Sequence, residues 1–196
     1  MTTAPSAPTA RIAAPDVVPP VLRRLYFARF GFAIVWAGLF AATSSPFGTA
    51  ALVLVVLYPV FDVAAAAVDA RSASSIRRST PALYINMAVS AVAAVALAVV
   101  GTGDVGDVLV VWGAWAIASG LVQLAVGLQR RSQSGQYPVI VSGALSVVAG
   151  TSFLVSAGSA TSLGSIAGYA VLGGVFFLVS ALRLGRRDQQ SSAVAD

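Results

Sequence analysis

The sequence predicts an all-α integral membrane protein whose six transmembrane helices form three parallel hairpin repeats. Of its 196 residues, 58% are hydrophobic and only 10% are charged, and the mean hydropathy is +0.87. A soluble domain carries about 25% charged residues. The composition therefore favours a chain that lies in lipid. The spacing of the apolar stretches and the placement of the arginines then predict how many spans there are and how they are oriented.

Six apolar stretches of about 20 residues follow a polar beginning, and a helix of that length crosses about 30 Å of hydrocarbon. Predicted helices 1 to 6 cover residues 25–43, 48–69, 82–101, 107–128, 137–157 and 163–184. We expect a disordered N-terminal tail at 1–20, rich in Ala, Pro and Thr, and a disordered C-terminal tail at 188–196. The six-helix transmembrane domain between them covers residues 21–187.

The arginines indicate the orientation. All twelve basic residues are arginine, and they lie around the start of helix 1, around the end of helix 6, or in the longer connections after helices 2 and 4. The short connections that join helices 1 to 2, 3 to 4 and 5 to 6 carry none, and the middle one carries Asp104 and Asp107. By the positive-inside rule, we predict a multi-pass protein of the bacterial cytoplasmic (inner) membrane with both termini in the cytoplasm.

The three hairpins resemble one another at a period near 56 residues. The segments WAGLF, VAAVA and VAGTS align in the odd-numbered helices. In the even-numbered helices an aromatic residue recurs, followed four residues later by a small or polar one: Tyr58 and Asp62, Trp115 and Ser119, Tyr169 and Gly173.

Helix 1 resembles a signal peptide, because basic residues precede an apolar segment. Because another span follows and the repeat includes helix 1, we expect it to be retained.

Small residues predict where helices approach closely. Ser142, Ser146 and Gly150 recur every four residues on helix 5, and Gly164 and Gly168 form a GxxxG pair on helix 6. Lipid supplies no hydrophobic drive between helices, so close backbone contact is important for their association. We expect helix 5, more than helix 6, to present a buried interface.

The later part of the chain resembles the HdeD-like bacterial membrane proteins, which are built from short paired-helix repeats of unknown function. The segments that carry the resemblance are VWGAWAIASGLVQLAVGLQRR, YPVIVSGALSVVAGTSFLVSA and GYAVLGGVFFLVSALRLGRR. It covers about residues 25–187, and helices 1 and 2, with LYPVFD, depart from the later pattern. The resemblance implies a stress- or acid-resistance-related membrane role. It supplies no catalytic residues.

Most enzyme chemistry is excluded by residue type. The chain has no histidine or cysteine, and its acidic residues are all aspartate. A Ser-His dyad, an HExxH zinc site and a thiolate nucleophile are therefore impossible. The segment GTGDVG lacks the GxxxxGK[ST] pattern of a phosphate-binding loop, and we predict that it forms a turn. We predict no enzymatic activity, no cofactor and no metal.

Asp62 is the acidic residue placed deepest in a predicted span. A charge at the bilayer centre costs about 2.5–3.5 kcal/mol, and less nearer the edge, so Asp62 should face protein and have a partner. Arg29 on helix 1 lies at matching depth in the antiparallel hairpin, and Tyr58 lies one turn before Asp62. We expect a structural ion pair between Arg29 and Asp62. A proton relay or cation site is the alternative.

Helices 3 and 4 carry further polar faces within the predicted spans. Asn86 and Ser90 share one face of helix 3, and one face of helix 4 holds Trp112, Trp115, Ser119 and Gln123. These residues either form hydrogen bonds between helices or line a small pocket or pore.

Two hypotheses for function follow from these patterns. The first is a non-enzymatic, HdeD-like membrane protein with a stress-related or structural role. The second is a small transporter or channel with Asp62 and the polar face of helix 4 in its pathway. The lipid bilayer is the expected partner and nucleic acid is not. The sequence leaves open whether the protein forms a homo-oligomer and whether it has an ion or a small molecule as its substrate.

Overall fold

A computed structural model describes residues 20–75, 81–129 and 137–193. Within these ranges the chain forms six α-helices and one short 3₁₀ turn, with no strand. Each helix contains a segment of 20 residues or more that is long and apolar enough to cross a membrane. The elements are α1 Pro20–Thr43, α2 Thr49–Ser75, α3 Pro81–Val100, α4 Val105–Gln129, α5 Tyr137–Ser156, the 3₁₀ turn Ala157–Ser159 and α6 Gly164–Ala193.

The local sequence explains several helix ends. Pro20 and Pro81 stand at the first positions of α1 and α3, where the missing N–H group would have no partner within the helix anyway. The predicted N-terminal tail lies, up to residue 19, outside the described residues. At the other end, α6 continues through residues 188–193 of the predicted C-terminal tail. No proline or glycine follows Gly185 before Ala193, so nothing in that segment breaks the helix.

The six helices form a ring. Each helix packs against its neighbours in sequence, and α1 closes the ring by packing against α6. The most extensive packing joins α4 to α5, followed by α1 to α6 and α2 to α3, while α5 and α6 make the fewest contacts of any neighbouring pair. Short turns do join the predicted hairpins, but the closest helix pairs lie between different hairpins.

Glycines at heptad spacing explain the close approach of α4 and α5. A Cβ atom added to Gly150 would lie 2.5 Å from the carbonyl oxygen of Gly113, and one added to Gly143 would lie 2.8 Å from that of Gly120. The glycines are seven residues apart on each helix, which is the repeat that keeps one face of a helix against its partner. Ser146 is buried on α5 as predicted, whereas a Cβ at position 168 of α6 would meet nothing within 4 Å.

Aromatic side chains fill the interior of the ring. This aromatic core consists of Trp36 and Phe40 from α1, Tyr58 from α2, and Trp112 and Trp115 from α4. The Trp36 and Trp112 ring centroids are 5.6 Å apart, and those of Tyr58 and Trp115 are 5.9 Å apart. Because Trp36, Phe40 and Trp112 are at most 1% exposed, the core joins α1 to α4 across the ring.

Candidate functional site

Asp62 is the centre of a polar cluster that joins three helices. One oxygen of its carboxylate, Oδ1, accepts a hydrogen bond from Nη2 of Arg29 on α1, which forms an ion pair. The other, Oδ2, accepts hydrogen bonds from Nδ2 of Asn86 and Oγ of Ser90 on α3, both at 2.8 Å. These four residues are called the Asp62 cluster below. Both carboxylate oxygens have donors, so the charge in the apolar segment is compensated.

Ser90 links the Asp62 cluster to the aromatic core. Its hydroxyl donates to Asp62 and accepts a hydrogen bond from Nε1 of Trp115 at 3.0 Å. Ser90 is fully buried and Trp115 is only 7% exposed. A chain of hydrogen bonds therefore runs from α1 through α2 and α3 to α4, and its members stabilise one another in a medium of low dielectric constant.

The guanidinium of Arg29 is held on both sides. Its Cζ atom lies 4.5 Å from the ring centroid of Phe177 on α6, which is a cation–π contact. The side chain of Arg29 is 10% exposed and that of Asp62 is 15% exposed. The pair is therefore largely removed from solvent, and it also connects α1 and α2 to α6.

A break in the backbone hydrogen bonds of α2 lies one turn before Asp62. Pro59 lies inside the helix and has no N–H group to donate to the carbonyl of Val55. In the same turn, the indole Nε1 of Trp36 donates to the carbonyl oxygen of Leu54 at 2.7 Å. The Trp36 ring thus packs against the side of α2 that carries Tyr58, with centroids 4.8 Å apart.

A small cavity adjoins the ion pair. It has a volume of about 10 Å³ and is lined by Arg29, Phe32, Tyr58, Phe61, Asp62 and Phe177. A water molecule needs about 10–15 Å³, so this cavity holds at most one. We expected a polar cavity, if one existed, to be enclosed by helices 2, 3 and 4. The residues around this cavity come from α1, α2 and α6, so only α2, with Tyr58 and Asp62, matches that expectation.

The predicted polar face of α4 is only partly paired. Trp115 bonds to Ser90, but Nε1 of Trp112 and Oγ of Ser119 are buried without a hydrogen-bond partner in the part of the chain that the structure describes. Gln123 is half-buried and lies three turns along from Trp112 on the same helix. Neither Ser119 nor Gln123 joins the Asp62 cluster.

A second hydrogen bond of the same kind joins α5 to α6. The hydroxyl of Tyr169 donates to Oγ of Ser146 at 3.1 Å. Ser146 follows Ser90 by 56 residues, and Tyr169 is aligned with Trp115 in the repeat predicted from the sequence. The same combination of a second-helix aromatic donor and a first-helix serine acceptor thus occurs twice.

Sequence reasoning found the ion pair but missed its full set of donors. Asn86 and Ser90 were predicted to share a face of helix 3, and both do bond to Asp62. Their spacing of four residues was the available signal, because it places two donors on the face that one carboxylate can contact. Phe177 was not predicted, because no pattern in the sequence indicates that α6 packs against α1.

The comparisons with known proteins add one finding about α4 and α5. The family described as a short repeat of unknown function (DUF308) matches residues 108–155, which cover most of these two helices. No curated protein and no solved structure matches the chain significantly. The matched segment is the helix pair with the most extensive packing, and it contains the glycine contacts between Gly113 and Gly150.

Proposed function

We propose that this chain is a non-enzymatic, HdeD-like multi-pass protein of the bacterial inner membrane, with a stress- or acid-resistance-related role. The observation that carries the membrane assignment is the set of six helices, each with a span of 20–25 residues and a mean hydropathy of 1.6–2.3. The match of residues 108–155 to DUF308 supports a relation to proteins that contain this short repeat of unknown function. The absence of histidine, cysteine, lysine and glutamate from the sequence supports a non-enzymatic role.

Both termini are proposed to lie in the cytoplasm. The start of α1 carries Arg23 and Arg24, the end of α2 carries Arg71, and the end of α6 carries Arg183 and Arg186. The short turn between α1 and α2 reverses the chain, so the start of α1 and the end of α2 lie on the same side of the ring. The end of α6 lies on that side too, because a Cβ atom added to Gly185 would lie 2.9 Å from Cζ of Arg23. The positive-inside rule then favours a cytoplasmic location for that side.

Single cysteines test both the insertion and the orientation, because the natural chain has none. Cysteines at Ser45, Asp104 and Ser159 should react with an impermeant thiol reagent added to intact cells. Cysteines at Ser74 and Ser134 should react only after the membrane is permeabilised. The reverse pattern would contradict the orientation, and labelling of all five in intact cells would contradict a multi-pass arrangement.

The arrangement as three parallel hairpin repeats is also part of this proposal. The two equivalent hydrogen bonds, Trp115 to Ser90 and Tyr169 to Ser146, support it. In the first hairpin the position equivalent to these serines is Ile34, which offers no acceptor to Tyr58. The first hairpin instead carries both charged residues of the Asp62 cluster, Arg29 and Asp62, which fits its departure from the later pattern.

The Asp62 cluster is proposed to be structural, because every polar group of Asp62 has a donor and the adjoining cavity is no larger than one water molecule. The stress role is tested by deleting the gene and measuring survival after acid challenge. Survival should fall and should recover when either the wild type or the Arg29→Gln/Asp62→Asn double variant is expressed. Unchanged survival of the deletion strain would contradict the role.

A small transporter or channel is the second candidate. The buried, unpartnered Nε1 of Trp112 and Oγ of Ser119 on α4 favour it, since unpaired buried polar groups are expected to have a water or ligand partner. Proton or solute flux into liposomes should be measured for the wild type and for Asp62→Asn. A flux that the wild type supports and Asp62→Asn lacks would favour this candidate over the structural role.

A further inference from the structure

The pairing of α1 with α6 brings together four arginines from opposite ends of the chain. Arg23 and Arg24 lie in the second turn of α1 or close to it, and Arg183 and Arg186 lie in the later part of α6. All four side chains are exposed. They lie at the end of the ring that the orientation proposed above assigns to the cytoplasm. This group is called the four-arginine patch.

Direct contact with α6 fixes the position of Arg23. A Cβ atom added to Gly185 would lie 2.9 Å from Cζ of Arg23 and 3.0 Å from its Nε and Nη2 atoms. The guanidinium therefore lies against the backbone of α6, in a space that the missing side chain of Gly185 leaves open. Its Cζ atom also lies 5.6 Å from the ring centroid of Phe27. Arg186 is the next residue after Gly185, so Arg23 and Arg186 lie at the same level of the paired helices.

The charge of the four-arginine patch is not neutralised by the described side chains. The ion pair that the structure records is between Arg29 and Asp62, deeper in the ring, and no described carboxylate pairs with any of the four arginines. The first turn of α1 has no acidic residue, and a helix N-terminus adds a partial positive charge. Since α6 continues to Ala193, its partly negative C-terminal end lies beyond Arg186.

Apolar side chains are exposed beside the patch and could contact acyl chains. Phe27 on α1 is 37% exposed and Leu182 on α6 is 49% exposed. Each lies next to, or one turn from, an arginine of its own helix. A surface with guanidinium groups at its outer edge and apolar groups deeper along the helices matches a phospholipid, whose phosphate lies above its hydrocarbon chains.

We propose that the four-arginine patch binds the headgroup phosphate of an anionic phospholipid, with the acyl chains against the exposed faces of α1 and α6. Guanidinium groups bind phosphate oxygens in a bidentate geometry. The proposal rests on the membrane insertion proposed above. It goes beyond general lipid contact, because it selects one helix pair and a negatively charged headgroup.

Lipid binding to the detergent-purified full chain tests the proposal, with native mass spectrometry as the readout. Phosphatidylglycerol should bind more tightly than phosphatidylcholine with the same acyl chains. The variant Arg183→Gln/Arg186→Gln should bind phosphatidylglycerol about 25-fold more weakly, because each arginine near an anionic lipid contributes roughly a fivefold factor. Both side chains are exposed, so we expect the variant to fold, and its helical circular dichroism should match that of the wild type.

Three comparisons decide the outcome. The variant Arg77→Gln/Arg78→Gln removes the same charge from the segment between α2 and α3 and should bind phosphatidylglycerol nearly as well as the wild type. Equal losses in the two double variants, or equal binding of both lipids by the wild type, would overturn the proposal. Displacement of the lipid by an equal concentration of inorganic phosphate would also overturn it. Should Arg183→Gln/Arg186→Gln misfold, the single variant Arg23→Gln replaces it, with an expected loss of about fivefold.

Alkaline carbonate extraction of cell membranes separates this test from the proposed function. A chain that stays in the membrane pellet but shows no preference for phosphatidylglycerol refutes the lipid site alone. A chain that is released into the supernatant refutes the membrane assignment, and the lipid site with it.

Discussion

Replacing Asp62 with asparagine should leave Arg29 as a buried charge without a counter-ion. The guanidinium lies between Asp62 and the ring of Phe177, with its Cζ atom 4.5 Å from the ring centroid, and the side chain is 10% exposed. Removing one partner of a buried ion pair costs about 3–5 kcal/mol. A long arginine can sometimes extend to the membrane surface, which would lower the cost. The contact with Phe177 opposes that movement, so we expect a loss of about 3 kcal/mol or more.

The double variant Arg29→Gln/Asp62→Asn should recover most of this loss. It has no unpaired charge, and the amide oxygen of an asparagine at position 62 can still accept hydrogen bonds from Asn86 and Ser90. The measurement is the free energy of unfolding in mixed detergent micelles, followed by tryptophan fluorescence from the aromatic core. We expect Asp62→Asn to be the least stable of the three proteins, with the double variant between it and the wild type.

The matched control is Asp107→Asn, which removes the same charge from an exposed position at the start of α4. Exposed substitutions usually change stability by no more than about 0.5 kcal/mol. A double variant no more stable than Asp62→Asn would refute the coupling between Arg29 and Asp62. Equal losses in Asp62→Asn and Asp107→Asn would show that the deep position of Asp62 has no special energetic role.

Three further variants, one of them a control, test the contacts between helices. Gly150→Ala should destabilise the protein by about 1–3 kcal/mol, because the added Cβ would lie 2.5 Å from the carbonyl oxygen of Gly113 and would separate α4 from α5. Gly168→Ala is its control and should be neutral or slightly stabilising in the same unfolding assay, because its Cβ meets nothing within 4 Å and alanine favours the helix. Equal losses in both would contradict the packing argument. Ser90→Ala should cost about 1–3 kcal/mol, because it removes a donor to the charged Asp62. An unchanged unfolding free energy would show that this bond contributes nothing to stability.

The six helices and the ion pair were predictable because both depend on local or nearly local rules. Apolar length identifies each span, and the short turn between α1 and α2 places Arg29 and Asp62 at one depth. Antiparallel helices joined by a short connection leave little freedom in their relative position along the axis. An unpaired charge is costly in apolar surroundings, which favours a contact between the two residues.

The closure of the ring was not predictable in the same way. Gly31 and Gly38 on α1 precede Gly143 and Gly150 on α5 by 112 residues each, twice the predicted period. The α5 glycines contact α4, but a Cβ at either α1 position would meet nothing within 4 Å. The α1 helix instead contacts α6 through Ala33, which lies 3.1 Å from a Cβ built on Gly174. Equivalent positions in the repeats thus make different contacts. Long-range packing determines which face of each helix contacts a neighbouring helix.

The positions aligned with Asp62 bear on the choice between a structural and a transport role. The alignment places Ser119 and Gly173 at the equivalent positions in the second and third hairpins, so the charge occurs once and not three times. A path along the centre of the ring would need polar groups there, but Trp36, Phe40 and Trp112 occupy the centre and are almost fully buried. The donors of the Asp62 cluster come from the two helices that flank α2. The Asp62 carboxylate therefore binds both helices that neighbour its own, and the adjoining cavity has a volume of only about 10 Å³. This arrangement favours a role in holding α1, α2 and α3 together over a role in the passage of a solute.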